Sequence, residues 1–136
     1  MADERLFKVE VIAPDRVFYE GEVIMLELCT TEGEIGIYKN HVPTTAVVAP
    51  GIMSLRESDS LEKIAALHAG FIEILQDKVT ILAESVEWPD EIDLNRAEEA
   101  RIRAERRLQE KVSGTNTARA EMALRRAAIR IEAKKK

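Results

Sequence analysis

Cysteine is nearly absent: Cys29 is the only one in 136 residues. A lone cysteine excludes an internal disulfide and any metal site built of cysteines, and it fits a reducing compartment. Its place in an apolar run predicts a small, buried strand residue. Histidine is almost as scarce, with only His41 and His68. Their separation suggests no metal site, and the strand-like surroundings of His68 predict a structural role. No run of roughly 18 apolar residues occurs, so no membrane-spanning helix is expected. The opening Met1-Ala2-Asp3-Glu4-Arg5 has no apolar stretch after a basic one and is not expected to be a signal peptide. Aromatics are few, which leaves Val, Ile and Leu to build the core. No catalytic constellation is visible either. Gly33-Glu34-Ile35-Gly36 leads into a strand-like Ile37-Tyr38, not into the helix that a phosphate-cradling loop needs. The acid pairs Glu32/Glu34 and Glu98/Glu99 read as solvated surface. Enzymatic turnover by the isolated chain is not expected.

What is present is divided at Trp88-Pro89. Residues 1–89 hold 16 acids and 7 bases, and residues 90–136 hold 9 acids and 13 bases. An acidic body therefore carries a basic arm, which can seek acidic protein, phosphate or nucleic acid. The nucleic-acid option is weak, because the arm has no aromatics for stacking and the whole chain is acidic.

The body reads as short strands parted by turn residues. The runs are 7–12, 16–19, 23–30, 35–38, 44–48, 52–55, 63–67, 71–75 and 79–82. Gln76-Asp77-Lys78 suggests a hairpin between the last two. Lys8, Glu10, Glu27 and Glu73 alternate with apolar neighbours, giving each strand a wet and a dry face. This spacing predicts a flattened antiparallel β-sandwich over 1–88.

The arm, 89–136, changes to helical periodicity. Asp93 is placed to cap a helix whose stripe is Leu94, Ala97, Ala104 and Leu108. Ser113-Gly114-Thr115-Asn116 breaks it, and Ala120, Ala123, Ala127 and Ile131 mark a second stripe beside Leu124. An antiparallel α-helical hairpin follows, weakly held because alanine faces bury little area. Asp93, Arg96, Ala100 and Arg103 share one face of the first helix, and Arg126 and Arg130 stand one turn apart on the second. Folding the hairpin about Gly114 brings residues whose numbers sum to about 229 level with one another. Arg126 then meets Arg103, and Arg130 comes level with Glu99, near Arg96. Two readings are open: the arginines converge on a polyphosphate, or Glu98, Glu99 and Glu105 neutralise them on a solvated face.

Three stretches in register decide between them by resemblance. Glu32-Gly33-Glu34-Ile35-Gly36-Ile37 through His41 and Pro43, then Gly70-Phe71-Ile72-Glu73-Ile74 with Val79-Thr80-Ile81-Leu82-Ala83, and finally Ile92-Asp93-Leu94-Asn95-Arg96-Ala97 follow one another along the chain. Together they resemble the epsilon subunits of bacterial F-type ATP synthases, over nearly the whole length. The resemblance implies a sandwich that binds a gamma subunit and the ring of c subunits as part of the rotor. Glu32, Glu34 and His41 would be contacts there. It implies a mobile arm that lies folded on the sandwich or extends into the alpha/beta hexamer and inhibits ATP hydrolysis. It further implies ATP as a regulatory ligand of the folded arm, with Mg accompanying it, held by Glu87, Ile92, Asp93, Arg96, Ala97, Arg103, Arg126 and Arg130. The implied location is the cytoplasmic face of the bacterial membrane, reached only through the complex.

Two departures stand out. Lys39-Asn40 replace the small Pro-Gly-like turn that the family often has, so that loop is expected to differ. The interhelical turn is short. From the residues alone, a stand-alone ATP-sensing module remains the alternative to a rotor subunit.

Overall fold

The computed structural model describes residues 3–110 and 117–136. Eight strands precede two helices: β1 Phe7–Ala13, β2 Arg16–Val23, β3 Met25–Thr30, β4 Gly33–Ile37, β5 Thr44–Val48, β6 Gly51–Arg56, β7 Glu62–Ile74 and β8 Lys78–Glu87. A 3₁₀ turn, Pro89–Glu91, leads to α1 Leu94–Glu110 and α2 Thr117–Lys135. The expected helix-breaking turn at Ser113–Asn116 lies outside the described residues.

Alternation along the strands places the core. In β1, Phe7, Val9, Val11 and Ala13 are buried while Lys8 is exposed. The sheet runs β2-β1-β8-β7-β5-β3-β4, and β6 closes it by pairing with both β3 and β7. Inward residues from both ends, among them Val9, Leu26, Leu55, Ile72 and Ile81, meet in one apolar cluster.

The structure departs from the expected antiparallel pattern in one pairing. β1 lies parallel to β8, with Lys8 opposite Lys78 and Ile12 opposite Leu82. Parallel neighbours need no turn between them, so no local signal announces this contact.

Nine expected runs become eight strands because 63–67 and 71–75 are one strand. Register with β8 is kept across the join, from Leu67↔Val86 to Gly70↔Ala83. The backbone twists at Ala69 (φ 25°) and Gly70 (φ 148°). Gly70 is required twice over: its φ suits glycine, and a Cβ there would come within 2.2 Å of the Leu82 carbonyl oxygen. β5 and β6 lie end to end along β7, one pairing with 70–74 and the other with 62–67. β2 also runs past its expected stop at Glu20-Gly21. Gly21 fits within the strand because it leaves room for the Tyr19 phenol, which a Cβ would meet at 2.7 Å.

The helices pack on each other through Ala97, Ala104, Ala120 and Ala127, all buried. They are antiparallel: Lys135 near the end of α2 pairs with Glu98 near the start of α1 at 3.9 Å. α2 also rests on β6 and β7. There Ala133 joins Ala66 and Ile92 in a second small apolar cluster, flanked by Ile52 and Ile129. The arm is therefore docked on the body through a thin apolar contact.

Candidate functional site

The site forms where β8 hands over to the arm. Trp88 stacks on Phe18 of β2, ring centroids 4.2 Å apart, and anchors the junction to the sheet. The Trp88 N–H donates to Glu91 Oε1 at 2.9 Å, and Arg16 reaches the same oxygen at 2.9 Å. Asp93 then caps α1, its Oδ1 accepting from the Arg96 N–H at 3.1 Å. This local chemistry turns α1 so that Arg96, Ala100 and Arg103 face back toward β8.

A cleft of about 340 Å³ opens between β8, the 3₁₀ turn, α1 and α2. Glu87, Ile92, Asp93, Arg96, Ala97, Arg103 and Arg130 line it, joined by Glu91 and Ala100. Arg126, one turn before Arg130, is half-buried and does not line it. The sequence motif had singled out neither Glu91 nor Ala100 as site residues. Glu91 sits in the turn before the motif, and its spacing alone carried no signal.

Charge in the cleft is unevenly compensated. Arg130 Nε donates to Glu87 Oε1 at 2.6 Å. Glu91 is engaged by Arg16, and Asp93 by the helix end. Arg96 and Arg103 make no ion pair among the described residues. Glu98 and Glu105, which could have neutralised them, instead clamp Arg101 at 3.1 and 2.9 Å. These two acids therefore do not neutralise Arg96 and Arg103, both of which are exposed. What remains is a pair of guanidinium groups facing a cleft beside a third, a donor set suited to phosphate oxygens.

Beneath Glu87 lies His68, 1 % exposed and the one buried polar residue among those described. Its Nε2 is 3.4 Å from Glu87 Oε1. Neither ring nitrogen has a hydrogen-bond partner. His68 is buried, as its strand-like surroundings predict. His68 first, and Arg130 after it, pull the Glu87 carboxyl down to about 2 against the opposing effect of burial.

The other expected contacts lie elsewhere. Glu32 on the β3–β4 turn and Glu34 at the start of β4 are exposed, and at that turn the Thr30 hydroxyl donates to the Gly33 carbonyl at 2.8 Å and accepts from the Glu32 N–H. His41 is half-buried, its Nδ1 2.7 Å from the Val42 carbonyl oxygen. Asn40 takes a left-handed φ of 66°, so the Lys39-Asn40 loop turns without a glycine. Cys29 is half-buried rather than buried, because its strand faces a gap under α2 lined by Gly51, Ile129 and Glu132. Burial and Glu34 push its thiol up, Arg125 opposes them, and Glu132 adds to the rise.

One surface feature had no counterpart in the sequence reading. Val47, Phe71, Leu82, Ile12 and Val17 lie side by side across β5, β7, β8, β1 and β2. Of these, Val47, Phe71, Leu82 and Val17 are 45–57 % exposed.

Residues 6–89 match the family described as ATP synthase, Delta/Epsilon chain, beta-sandwich domain. Residues 90–135 match ATP synthase, Delta/Epsilon chain, long alpha-helix domain. The ATP synthase epsilon chain of Caldanaerobacter subterraneus subsp. tengcongensis is 42% identical over 130 residues, covering 95% of this chain and 94% of its own. That of Caldicellulosiruptor bescii is 44% identical over 127 residues, covering 93% and 91%. A chain in the OSCP/F1/c-ring structure of the Euglena gracilis mitochondrial ATP synthase shares the fold at a TM-score of 0.80 and 20% identity, covering 92% of this chain and 79% of that one. By its two domains and these relatives, the chain belongs to the ATP synthase delta/epsilon family, among the bacterial epsilon chains.

Proposed function

We propose that the chain is a non-catalytic rotor subunit that joins the c ring to F1 through gamma, inhibits ATP hydrolysis through its arm, and is gated by ATP bound to the folded arm. The observation that carries this reading is the cleft at the body–arm junction. It is lined from both sides, by Glu87 of the body and by Arg96, Arg103 and Arg130 of the arm. A polyphosphate there would tie the helices to the sheet, and its loss would free them. Among the described residues no cluster of three or more His, Cys, Asp or Glu is placed to hold a metal, so Mg would arrive on the phosphates. Arg126 would need to rotate toward the cleft to take part.

The apolar row from Val47 to Val17 supports a protein cover for the outer sheet face, which fits gamma. That row also favours a rotor subunit over a stand-alone ATP sensor, which would leave it bare. Glu32, Glu34 and His41 serve the contacts with the c ring and gamma. The extended arm presents its basic surface to the alpha/beta hexamer. Among the described residues no helix is long and apolar enough to cross a membrane, so attachment at the cytoplasmic face runs through the complex.

The test has two parts. Titration calorimetry with ATP should give binding by the wild type and a loss of at least about tenfold for Arg103→Ala, the scale of one charge-assisted hydrogen bond. Removing residues 90–136 should leave assembly with gamma intact and relieve inhibition of F1. Equal ATP binding by both proteins would reject the cleft, and undiminished inhibition by the truncated chain would reject the arm.

A further inference from the structure

The outer face of the sheet formed by β5, β7, β8, β1 and β2 carries one apolar line. Register sets Val47 beside Phe71, Phe71 beside Leu82, Leu82 beside Ile12 and Ile12 beside Val17. The line runs across the strands and is one residue wide. Its four interstrand steps, at about 4.8 Å each, span about 19 Å. A second line runs alongside it, two residues away on four strands and past a bulge on β2. It consists of Thr45, Glu73, Thr80, Glu10 and Glu20. On the opposite flank Glu84, two residues beyond Leu82, is exposed. The charges next to the apolar line are therefore all negative. Lys78 meets Glu10 at 3.8 Å, whereas Glu20, Glu73 and Glu84 make no ion pair among the described residues. Glu10 also stands directly opposite Glu20, an unfavourable cross-strand pair of like charges.

We propose that this face takes one amphipathic helix of the covering subunit, laid across the strands, with an apolar ridge flanked by lysine or arginine. This rests on the reading of gamma as the cover of the face. A single apolar line matches the ridge of a helix, whose apolar residues recur at i, i+4, i+7 and i+11. A second sheet packed face to face would need apolar area along the strands as well as across them. At 1.5 Å per residue, about 19 Å corresponds to about 13 residues, or nearly four turns. Basic residues beside the ridge then lie over Glu10, Glu20 and Glu73 on one flank and over Glu84 on the other. A cation there relieves the Glu10–Glu20 repulsion that the free chain bears. The same acids disfavour a second copy of this face, which would set carboxylates against carboxylates.

The test uses the full chain and purified gamma. Leu82→Asp, at a position 53 % exposed, checks the underlying reading and should weaken gamma binding by at least about tenfold. Unchanged binding rejects gamma as the cover, and the inference with it. Combining Glu20→Gln, Glu73→Gln and Glu84→Gln should weaken binding by roughly tenfold at low salt and flatten its salt dependence, as the loss of three rim ion pairs does. If Leu82→Asp disrupts binding while the triple variant keeps the affinity and salt dependence of the wild type, the basic flanks are overturned and gamma stands as the cover. The helix is tested by geometry. In a Cys29→Ser background, a photo-crosslinker is attached to Val17→Cys and, separately, to Val47→Cys, the two ends of the line. The captured gamma residues should lie in one continuous segment, about 13 positions apart. Capture in two segments distant in sequence overturns the single helix and leaves gamma as the cover. Capture of a second copy of this chain in place of gamma overturns both.

Discussion

Breaking the Arg130–Glu87 pair should lift the arm, and the chain carries its own reporter for that event. The guanidinium Nε lies 2.6 Å from Glu87 Oε1, with the two side chains 30 % and 26 % exposed. The Glu87 carboxyl stands at about 2 instead of 4.5, a depression equivalent to about 3 kcal/mol in total. His68 supplies the larger share of it, so Arg130 accounts for about 1 kcal/mol. Arg130→Ala also strands a half-buried carboxylate near the imidazole and removes packing from the arm. A loss of about 2 kcal/mol follows, which raises the lifted population about 30-fold. Cys29 reads this directly, because the gap it lines is closed on the other side by Ile129 and Glu132 of α2. A thiol-labelling reagent should therefore modify Cys29 faster in Arg130→Ala. The ceiling is about 30-fold, reduced by whatever labelling the docked state already permits. Glu87→Gln should behave alike, and the double variant should show little more than either single one. Unchanged labelling in Arg130→Ala, with α2 amides exchanging as slowly as in the wild type, would refute the idea that this pair holds the arm.

Two further outcomes are expected. Glu87 has its pKa depressed in the folded chain, so its contribution is full above about 4.5 and fades as pH falls from about 4.5 toward 2. Thermal melts across that window should show the wild type losing stability more steeply than Glu87→Gln, and parallel curves would count against the role of Glu87. Gly70→Ala puts a Cβ 2.2 Å from the Leu82 carbonyl oxygen at a φ of 148° and should destabilise the body by about 3 kcal/mol or more. Denaturant unfolding measures it, and a change below about 1 kcal/mol would mean that β7 relaxes there freely.

Local features of the fold were legible in the residues. The in-out alternation of β1 was visible in Lys8 and Glu10, and the start of α1 in Asp93, because both depend on near neighbours in sequence. The continuity of β7 was not, since Ala69-Gly70 looks like a stop, and only the flanking strands hold the chain straight through it. The β1–β8 pairing was hidden for the same reason: nothing in Phe7–Ala13 specifies a distant parallel partner. The cleft was half legible. Helical spacing aligned Arg96 with Arg103, and the antiparallel register of the arm brought Arg130 to the same place. His68 and Glu87 meet through the register of two strands, which neither residue's own neighbourhood reveals. The exposed row from Val47 to Val17 was invisible because each member comes from a different strand.

The β1–β8 contact also sets an order on synthesis. β1 leaves the ribosome before the rest of the body, yet its inner neighbour is the last strand of the body. The sheet cannot close until residues 78–87 have emerged, and such distant pairing makes closure a late and slow step. The face that receives α2 is built from β6 and β7, and Glu87 ends β8. The arm is therefore translated just after its own docking surface is completed. A nascent chain stalled before Glu87 should expose β1 and β7 as bare edges, the form in which this protein is most exposed to aggregation.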